Sequence, residues 1–360
     1  MAPSKVLHVL GTRPNFVKMA PVVAAITEIL PDTGQVVVHT GQHYDRMMSE
    51  IFFDELGMPK PDHTLDVGSG SHAIQTAKVM ERIEPVLEAE QPDLVLVPGD
   101  VNSTVAAALT AAKMGIPVGH VESGLRSGDR TMPEELNRII TDHLAEVLFT
   151  HSDEADRNLD REGIDPTWVH LVGNTMIDTL VRLEDRFRSI GKATELGLAP
   201  GEYLLVTLHR PALVDGPLLG DALAALSAVA AELPVVFPVH PRTRAMIAEL
   251  GEEPAGVLLI EPVGYLDFLS LESEAAAVLT DSGGIQEETT YLGIPCFTLR
   301  DNTERPVTID LGTNTLLGLE PDRIQEIPGM LASGRETPDG PPPLWDGSAG
   351  RRAAEVLAAF

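Results

Sequence analysis

Along the first half of the 360-residue chain, short β-branched runs alternate with longer segments of helical spacing. Residues 6–10 (VLHVL) predict a buried strand, and Gly11-Thr12-Arg13-Pro14 turns from it into a helix through about Leu30. Residues 35–40 predict a second strand, 71–90 a helix, 93–97 a buried strand, 103–114 a small-residue helix and 116–121 another strand. Strands that are apolar along their whole length, rather than at alternate positions, are covered on both faces. Set between helices, they predict a parallel, doubly wound sheet.

The rhythm begins again in the second half. Residues 203–208 (YLLVTL), Val235–Pro238, Val257–Ile260, 276–280 and 294–299 read as strands, and 218–233 as an alanine-rich helix. The boundary falls within 173–201, where a polar helix and a Gly197–Gly201 turn separate the two patterns, which sets domains of 1–175 and 176–344. Residues 334–343 (GRETPDGPPP) read as a linker, and 350–360 as a short amphipathic helix.

Composition narrows the class. Hydrophobic residues make up 43%, enough for two cores. Lys and Arg number 26 against 54 Asp and Glu, a net charge of −28, which repels nucleic acid and anionic membrane surfaces and argues against both as partners. The same field repels a phosphate-bearing substrate, so placed arginines and helix N-termini must attract it locally. The one cysteine, Cys296, sits in the apolar run LGIPCF and reads as a buried small hydrophobe, with no disulfide or thiolate metal site. The start carries no basic segment followed by an apolar stretch, and no run reaches membrane-spanning length, so a cytoplasmic protein is expected.

In an open parallel sheet, ligands sit at the carboxyl ends of the strands, which selects the residues just after each strand. After the first come Arg13 and, a turn into the helix, Lys18, two cations near free backbone donors. After the second lies Thr40-Gly41-Gln42-His43-Tyr44-Asp45, a sugar contact or an ordinary turn. Asp100 follows the strand at 93–97 and can either cap the next helix or face the ligand. Glu122 interrupts the apolar strand at 116–121, and Glu134 stands at the Pro133 step into a helix. Converging carboxylates shift one another's pKa and can provide both an acid and a base. Arg138, further along that helix, is either a substrate contact or, with Arg126, a neutraliser of these acids. In the second half His209-Arg210 and His240 stand at strand mouths and suit a diphosphate. Asp281-Ser282-Gly283-Gly284 opens a helix whose bare N–H groups and serine hydroxyl can cradle a phosphate, and Glu288 can accept the two hydroxyls of a ribose. Arg300 and Arg305 follow the strand at 294–299 and can close over the anion. No G-x-G-x-x-G run follows the first strand.

Eight segments in order resemble the non-hydrolysing UDP-N-acetylglucosamine 2-epimerases: 11–18 (GTRPNFVK), 40–45 (TGQHYD), 99–104 (GDVNST), 120–126 (HVESGLR), 132–138 (MPEELNR), 173–178 (GNTMID), 281–288 (DSGGIQEE) and 303–306 (TERP). The resemblance implies a GT-B-like fold, two Rossmann-like domains with the substrate in the cleft between them, a C-terminal helix at 345–360 packed back on the first domain, and a homodimer. It implies inversion at C2 of UDP-N-acetylglucosamine by elimination of UDP to 2-acetamidoglucal and re-addition, with no metal or other cofactor. Asp100, Glu122 and Glu134 would then move protons. Arg13, His209, Ser282 with its glycines and Arg300 or Arg305 would stabilise the departing UDP, and Glu288 would hold the ribose.

Two places depart from the family pattern. Pro211-Ala212-Leu213 follow His209-Arg210 where polar residues are common, and Gln42-His43-Tyr44-Asp45 departs from the segment of a second, activating UDP-N-acetylglucosamine site, so an enzyme independent of that activator is expected. The rival readings are a hydrolysing 2-epimerase, betrayed by stoichiometric free UDP, a GT-B glycosyltransferase, and a nucleotide-sugar sensor that would tolerate Glu122→Gln.

Overall fold

Runs of consecutive Val, Leu and Ile form the strands of two parallel sheets in the structure, a computed structural model that describes residues 2–41, 53, 55–251, 253–334 and 338–360. The chain divides into two compact units, one of Met1–Val181 with Pro343–Phe360 and the other of Arg182–Pro342.

The first unit carries strands β1 (Lys5–Leu10), β2 (Gly34–His39), β3 (His63–Thr64), β4 (Leu94–Pro98), β5 (Val118–Val121), β6 (Val147–Thr150) and β7 (Val169–Leu171), in the order β3-β2-β1-β4-β5-β6-β7. The main connecting helices are α1 (Arg13–Ile29), α2 (His72–Glu90), α3 (Asn102–Lys113), α4 (Pro133–Leu144), α5 (Asp153–Arg161) and α6 (Thr175–Arg188). In the second unit β8 (Leu204–Thr207), β9 (Val235–Pro238), β10 (Val257–Ile260), β11 (Ala277–Thr280), β12 (Cys296–Thr298) and β13 (Asn314–Leu316) are ordered β10-β9-β8-β11-β12-β13. They alternate with α7 (Leu218–Val229), α8 (Pro241–Leu250), α9 (Tyr265–Ser273) and α10 (Gly283–Leu292).

The strand order reverses between β1 and β4 in the first unit and between β8 and β11 in the second. At such a point successive crossovers leave to opposite sides, and the loops at the carboxyl ends stand apart around a crevice. The four loops so placed begin at Gly11, Gly99, Leu208 and Asp281.

Val235–Pro238 and Val257–Ile260 form strands at the expected residues, and the other expected strands shift by one or two residues at their ends. The strand expected from residue 294 starts only at Cys296, because Pro295 has no N–H for the ladder. Helix α7 stops at Val229, four residues short of the expectation, in turns ahead of Pro234, which disfavours helical backbone at the residue before it. Strands β3, β6, β7 and β13 lie where the pattern predicts none; at two to four residues they are too short to show a period.

After residue 342 the chain rejoins the first unit. Trp345 is fully buried and donates Nε1–H to the carbonyl of His151 at 3.0 Å. Helix α11 (Ala349–Ala359) lies against α1 so closely that a Cβ on Gly350 would meet the Pro21 carbonyl at 2.7 Å. Asp178 accepts the backbone N–H groups of Ala349 and Gly350 at 3.0 and 2.7 Å, holding the first turn of α11. Burial pushes its carboxyl up to about 6, against the pull of those two donors. A carboxyl with a raised folded-state value favours folding when protonated, so its contribution is full below about pH 4 and declines as pH rises through about 6. Asp178→Ala leaves both donors without their acceptor. It should cost about 1–3 kcal/mol in denaturant unfolding and speed proteolytic release of a C-terminal peptide.

Candidate active-site residues

In the first unit the loop after β1 is closed by Asn15. Its Oδ1 accepts the N–H of Gly11 at 3.0 Å and of Thr12 at 3.1 Å, while its Nδ2 donates to the Pro98 carbonyl at the end of β4. Arg13 begins α1 and is exposed, whereas Lys18, one turn on, is buried. The Lys18 ammonium lies 2.6 Å from Oε2 of Glu122, and both side chains are nearly inaccessible to water. A Cβ on Gly99, which has φ +63°, would sit 3.2 Å from that ammonium, so glycine lets the turn before Asp100 approach the pair.

Glu122 itself has φ +67°. A non-glycine residue there carries about 1–3 kcal/mol of strain, retained when its surroundings over-determine the conformation. Asp100 does not cap α3, whose N-cap is Val101 without a side-chain bond. Its carboxylate instead receives Arg138, from Nε at 3.1 Å and Nη2 at 2.7 Å. Arg138 also reaches Glu135 at 2.5 Å. Of the adjacent glutamates on α4, Glu135 is buried and closes the preceding loop through the N–H groups of Ser127 and Gly128, both at 2.9 Å. Glu134 stays half-buried, with no hydrogen bond or ion pair among the described residues. Arg126 serves other acids, Asp142 and Glu162, each at 2.7 Å.

His120, two residues before Glu122, was not singled out from the sequence. It is fully buried, with Nδ1 at 2.6 Å from Asp142 and Nε2 at 2.7 Å from the Gly99 carbonyl, so a hydrogen on each ring nitrogen finds an acceptor. Burial raises the Asp142 carboxyl, but the charges and hydrogen bonds of His120 and Arg126 prevail and hold it below its ordinary value. The motif shows His120; its partner lies 22 residues on, beyond local pattern.

In the second unit, Asp281 ends β11 and binds the loop after β8. Its Oδ2 accepts the N–H groups of His209 at 2.8 Å and Arg210 at 2.7 Å, and Oδ1 lies 3.0 Å from Nδ1 of His209. Burial raises the Asp281 carboxyl, yet His209 and the two N–H groups outweigh it and the net shift is downward. The imidazole of His209 is left half-exposed, 6.5 Å between centroids from that of His240, which caps α8. Ser282 is the N-cap of α10 without using its hydroxyl as the cap, and Gly283 and Gly284 form the first turn. A Cβ on Gly283 would meet Nη1 of Arg305 at 2.4 Å, so glycine admits that guanidinium to the helix start.

Arg305 and Arg300 are both buried. Arg305 Nε lies 3.0 Å from Glu287, and Arg300 grips Glu304 with two bonds at 3.0 and 2.8 Å. Arg210 reaches the same Glu304 at 4.0 Å. Glu287 and Glu304, absent from the sequence candidates, thus set where the arginines stand. Glu288 is buried and accepts from the Tyr265 hydroxyl at 2.7 Å; burial, with the neighbouring Glu287 charge, pushes its carboxyl up to about 7. Gln42 and His43 lie outside the described residues.

The unit-2 cluster offers open N–H groups, a serine hydroxyl and cations at one helix start, a setting for an anion; the unit-1 cluster offers carboxylates held by cations, a setting for proton transfer. Asp281→Asn keeps one of the two acceptor positions and should destabilise the protein by about 1–3 kcal/mol. Because the Asp281 carboxyl is depressed, the difference from wild type is present at neutral pH and should close only as pH falls below about 4, which thermal melts across pH will check.

The UDP-N-acetylglucosamine 2-epimerase family matches residues 29–358. The UDP-N-acetylglucosamine 2-epimerase of Methanococcus maripaludis is 42% identical over 98% of each chain. The UDP-2,3-diacetamido-2,3-dideoxy-D-glucuronate 2-epimerase of Pseudomonas aeruginosa is also 42% identical, over 98% of this chain and 99% of that protein. The crystal structure of Methanocaldococcus jannaschii UDP-GlcNAc 2-epimerase in complex with UDP-GlcNAc and UDP superposes with a TM-score of 0.88 at 38% identity, covering 99% of this chain and 100% of that one. The two parallel-sheet α/β units are of the GT-B-like class expected from the motifs. The chain belongs to the UDP-N-acetylglucosamine 2-epimerase family.

Proposed function

We propose that this chain interconverts UDP-N-acetylglucosamine and UDP-N-acetylmannosamine without net hydrolysis. The observation that carries the reading is Glu122, a buried carboxylate kept in left-handed backbone and held 2.6 Å from the Lys18 ammonium at the carboxyl end of β5. A carboxylate so confined is fixed in direction, as removal of a carbon-bound proton requires.

The C2 hydrogen is not next to a carbonyl, so it leaves together with the C1–oxygen bond. One carboxylate takes the C2 proton, the C1–C2 double bond forms, and UDP departs with the bonding pair. A proton then returns to the opposite face of C2, and UDP re-adds at C1. Glu122, Asp100 and Glu134 are the proton carriers of the first unit, and Arg138 fixes the Asp100 carboxylate. Departing diphosphate is stabilised by His209, the open turn at Ser282-Gly283-Gly284, and the arginines 210, 300 and 305. Arg13 and Lys18 supply further cations, His240 stands beside His209, and Glu288 takes the ribose hydroxyls.

Equal identity to the Pseudomonas aeruginosa protein favours a second reading, in which the sugar carries a 3-acetamido group and a C6 carboxylate. Competition between the two UDP-sugars for turnover decides between them.

Turnover of UDP-N-acetylglucosamine in D₂O should place deuterium at C2 of both epimers, read by mass spectrometry, with free UDP remaining substoichiometric. Stoichiometric UDP would instead show a hydrolase. Glu122→Gln should lower kcat by about 10²–10⁴-fold while leaving UDP affinity near wild type in calorimetry.

A further inference from the structure

Gly99 joins the end of β4 to Asp100, and β5 holds both of its backbone polar groups. Its N–H donates to the Val121 carbonyl at 2.9 Å, and its carbonyl accepts from Nε2 of His120 at 2.7 Å. That carbonyl belongs to the rigid peptide plane leading into Asp100, so its direction sets the bearing from which the Asp100 side chain leaves the backbone. Glycine at φ +63° cannot hold the plane alone, because without a Cβ it turns to other conformations at little steric cost.

His120 is itself aimed. A backbone carbonyl only accepts, so the ring hydrogen at Nε2 is committed to Gly99. Nδ1 lies 2.6 Å from Oδ1 of the fully buried Asp142. The other oxygen of Asp142 takes the Gly124 N–H at 3.1 Å and Arg126 at 2.7 Å. Asp142 stands on α4, the helix whose Arg138 grips the Asp100 carboxylate and whose Asn137 donates to the Asp100 carbonyl at 2.9 Å. Imidazole, turn and helix thus close one loop of bonds around Asp100. Glu122 takes its direction from elsewhere, the Lys18 ammonium of α1 at 2.6 Å.

We propose that His120 is a positioning residue for Asp100: anchored by Asp142, its Nε2 hydrogen holds the Gly99 carbonyl and keeps the Asp100 carboxylate at one face of C2 while Glu122 serves the other. This rests on the assignment of Asp100 and Glu122 as proton carriers. Inversion needs a carrier on each face, whereas exchange without inversion needs only one. With Asp100 misdirected, Glu122 still takes the C2 proton of one epimer as UDP leaves with the C1–oxygen bonding pair. In D₂O that proton is replaced from solvent, a deuteron returns to the same face of C2, and UDP re-adds at C1. The starting epimer is then recovered deuterated and unchanged in configuration.

The test is turnover in D₂O at low conversion, begun from each epimer in turn, on wild type, His120→Gln, His120→Met and Asp100→Asn, with UDP affinity measured by calorimetry. The readout is deuterium in the recovered starting epimer relative to deuterium in the inverted one. A loss of stability alone lowers the amount of active enzyme and leaves this ratio where it was. Glutamine carries its Nε2 as many bonds from the backbone as the imidazole does and keeps the donor to Gly99; methionine keeps the bulk and loses the donor. His120→Met should raise the ratio from one of the two epimers by at least about tenfold and lower kcat for inversion by about 10²-fold, with UDP affinity within about threefold of wild type. His120→Gln should keep the wild-type ratio. His120→Leu is the second apolar variant if the methionine protein does not fold. An unchanged ratio in the apolar variant, a raised ratio in His120→Gln, or UDP affinity lost in parallel with kcat overturns the proposal. The proton-carrier assignment fails separately, if Asp100→Asn inverts both epimers as wild type does.

Discussion

A carboxylate can stand at the dry end of a parallel strand only if something beside it repays the loss of water, and this constraint organises both units. Glu122 is met by Lys18, Asp100 by Arg138, and Asp281 by His209 and two backbone N–H groups. Each partner comes from a different loop or helix, so the same contacts that make the acids tolerable also tie the crevice loops together. Removing one partner would leave a buried charge without an answer, which is far costlier than losing a surface pair.

The excess of acid over base in the whole chain makes these local arrangements more demanding. Arginines near the start of α10 are held by Glu287 and Glu304 rather than left to the solvent, which fixes their direction at the expense of part of their field. What remains for an anion is chiefly geometry: the open first turn of α10, the serine hydroxyl beside it and a half-exposed imidazole. A site built this way recognises shape and hydrogen-bonding pattern more than bare charge.

Much of this was legible in the residues. Strand runs such as Val235–Pro238 and the loops that follow them state the class of fold, because a period of apolar residues is a local property. The motif around Asp281 declares an open helix start for the same reason. What local pattern cannot express is which of two neighbouring acids turns inward. Glu134 and Glu135 are chemically alike in the sequence, yet only Glu135 is drawn under the loop by Ser127 and Gly128. Asp100 read alone looks like a helix cap; Arg138, 38 residues away, claims it instead.

The return of residues 343–360 to the first unit makes the second unit an insertion into it. During synthesis residues 182–342 can close their own sheet while the first unit still lacks Trp345 and α11. The usual order, in which the amino-terminal body matures first, is therefore inverted for the last step of this chain. Until α11 arrives, the surface of α1 around Pro21 is an uncovered apolar face on a nascent polypeptide, the interval in which chaperone capture or aggregation would compete with completion.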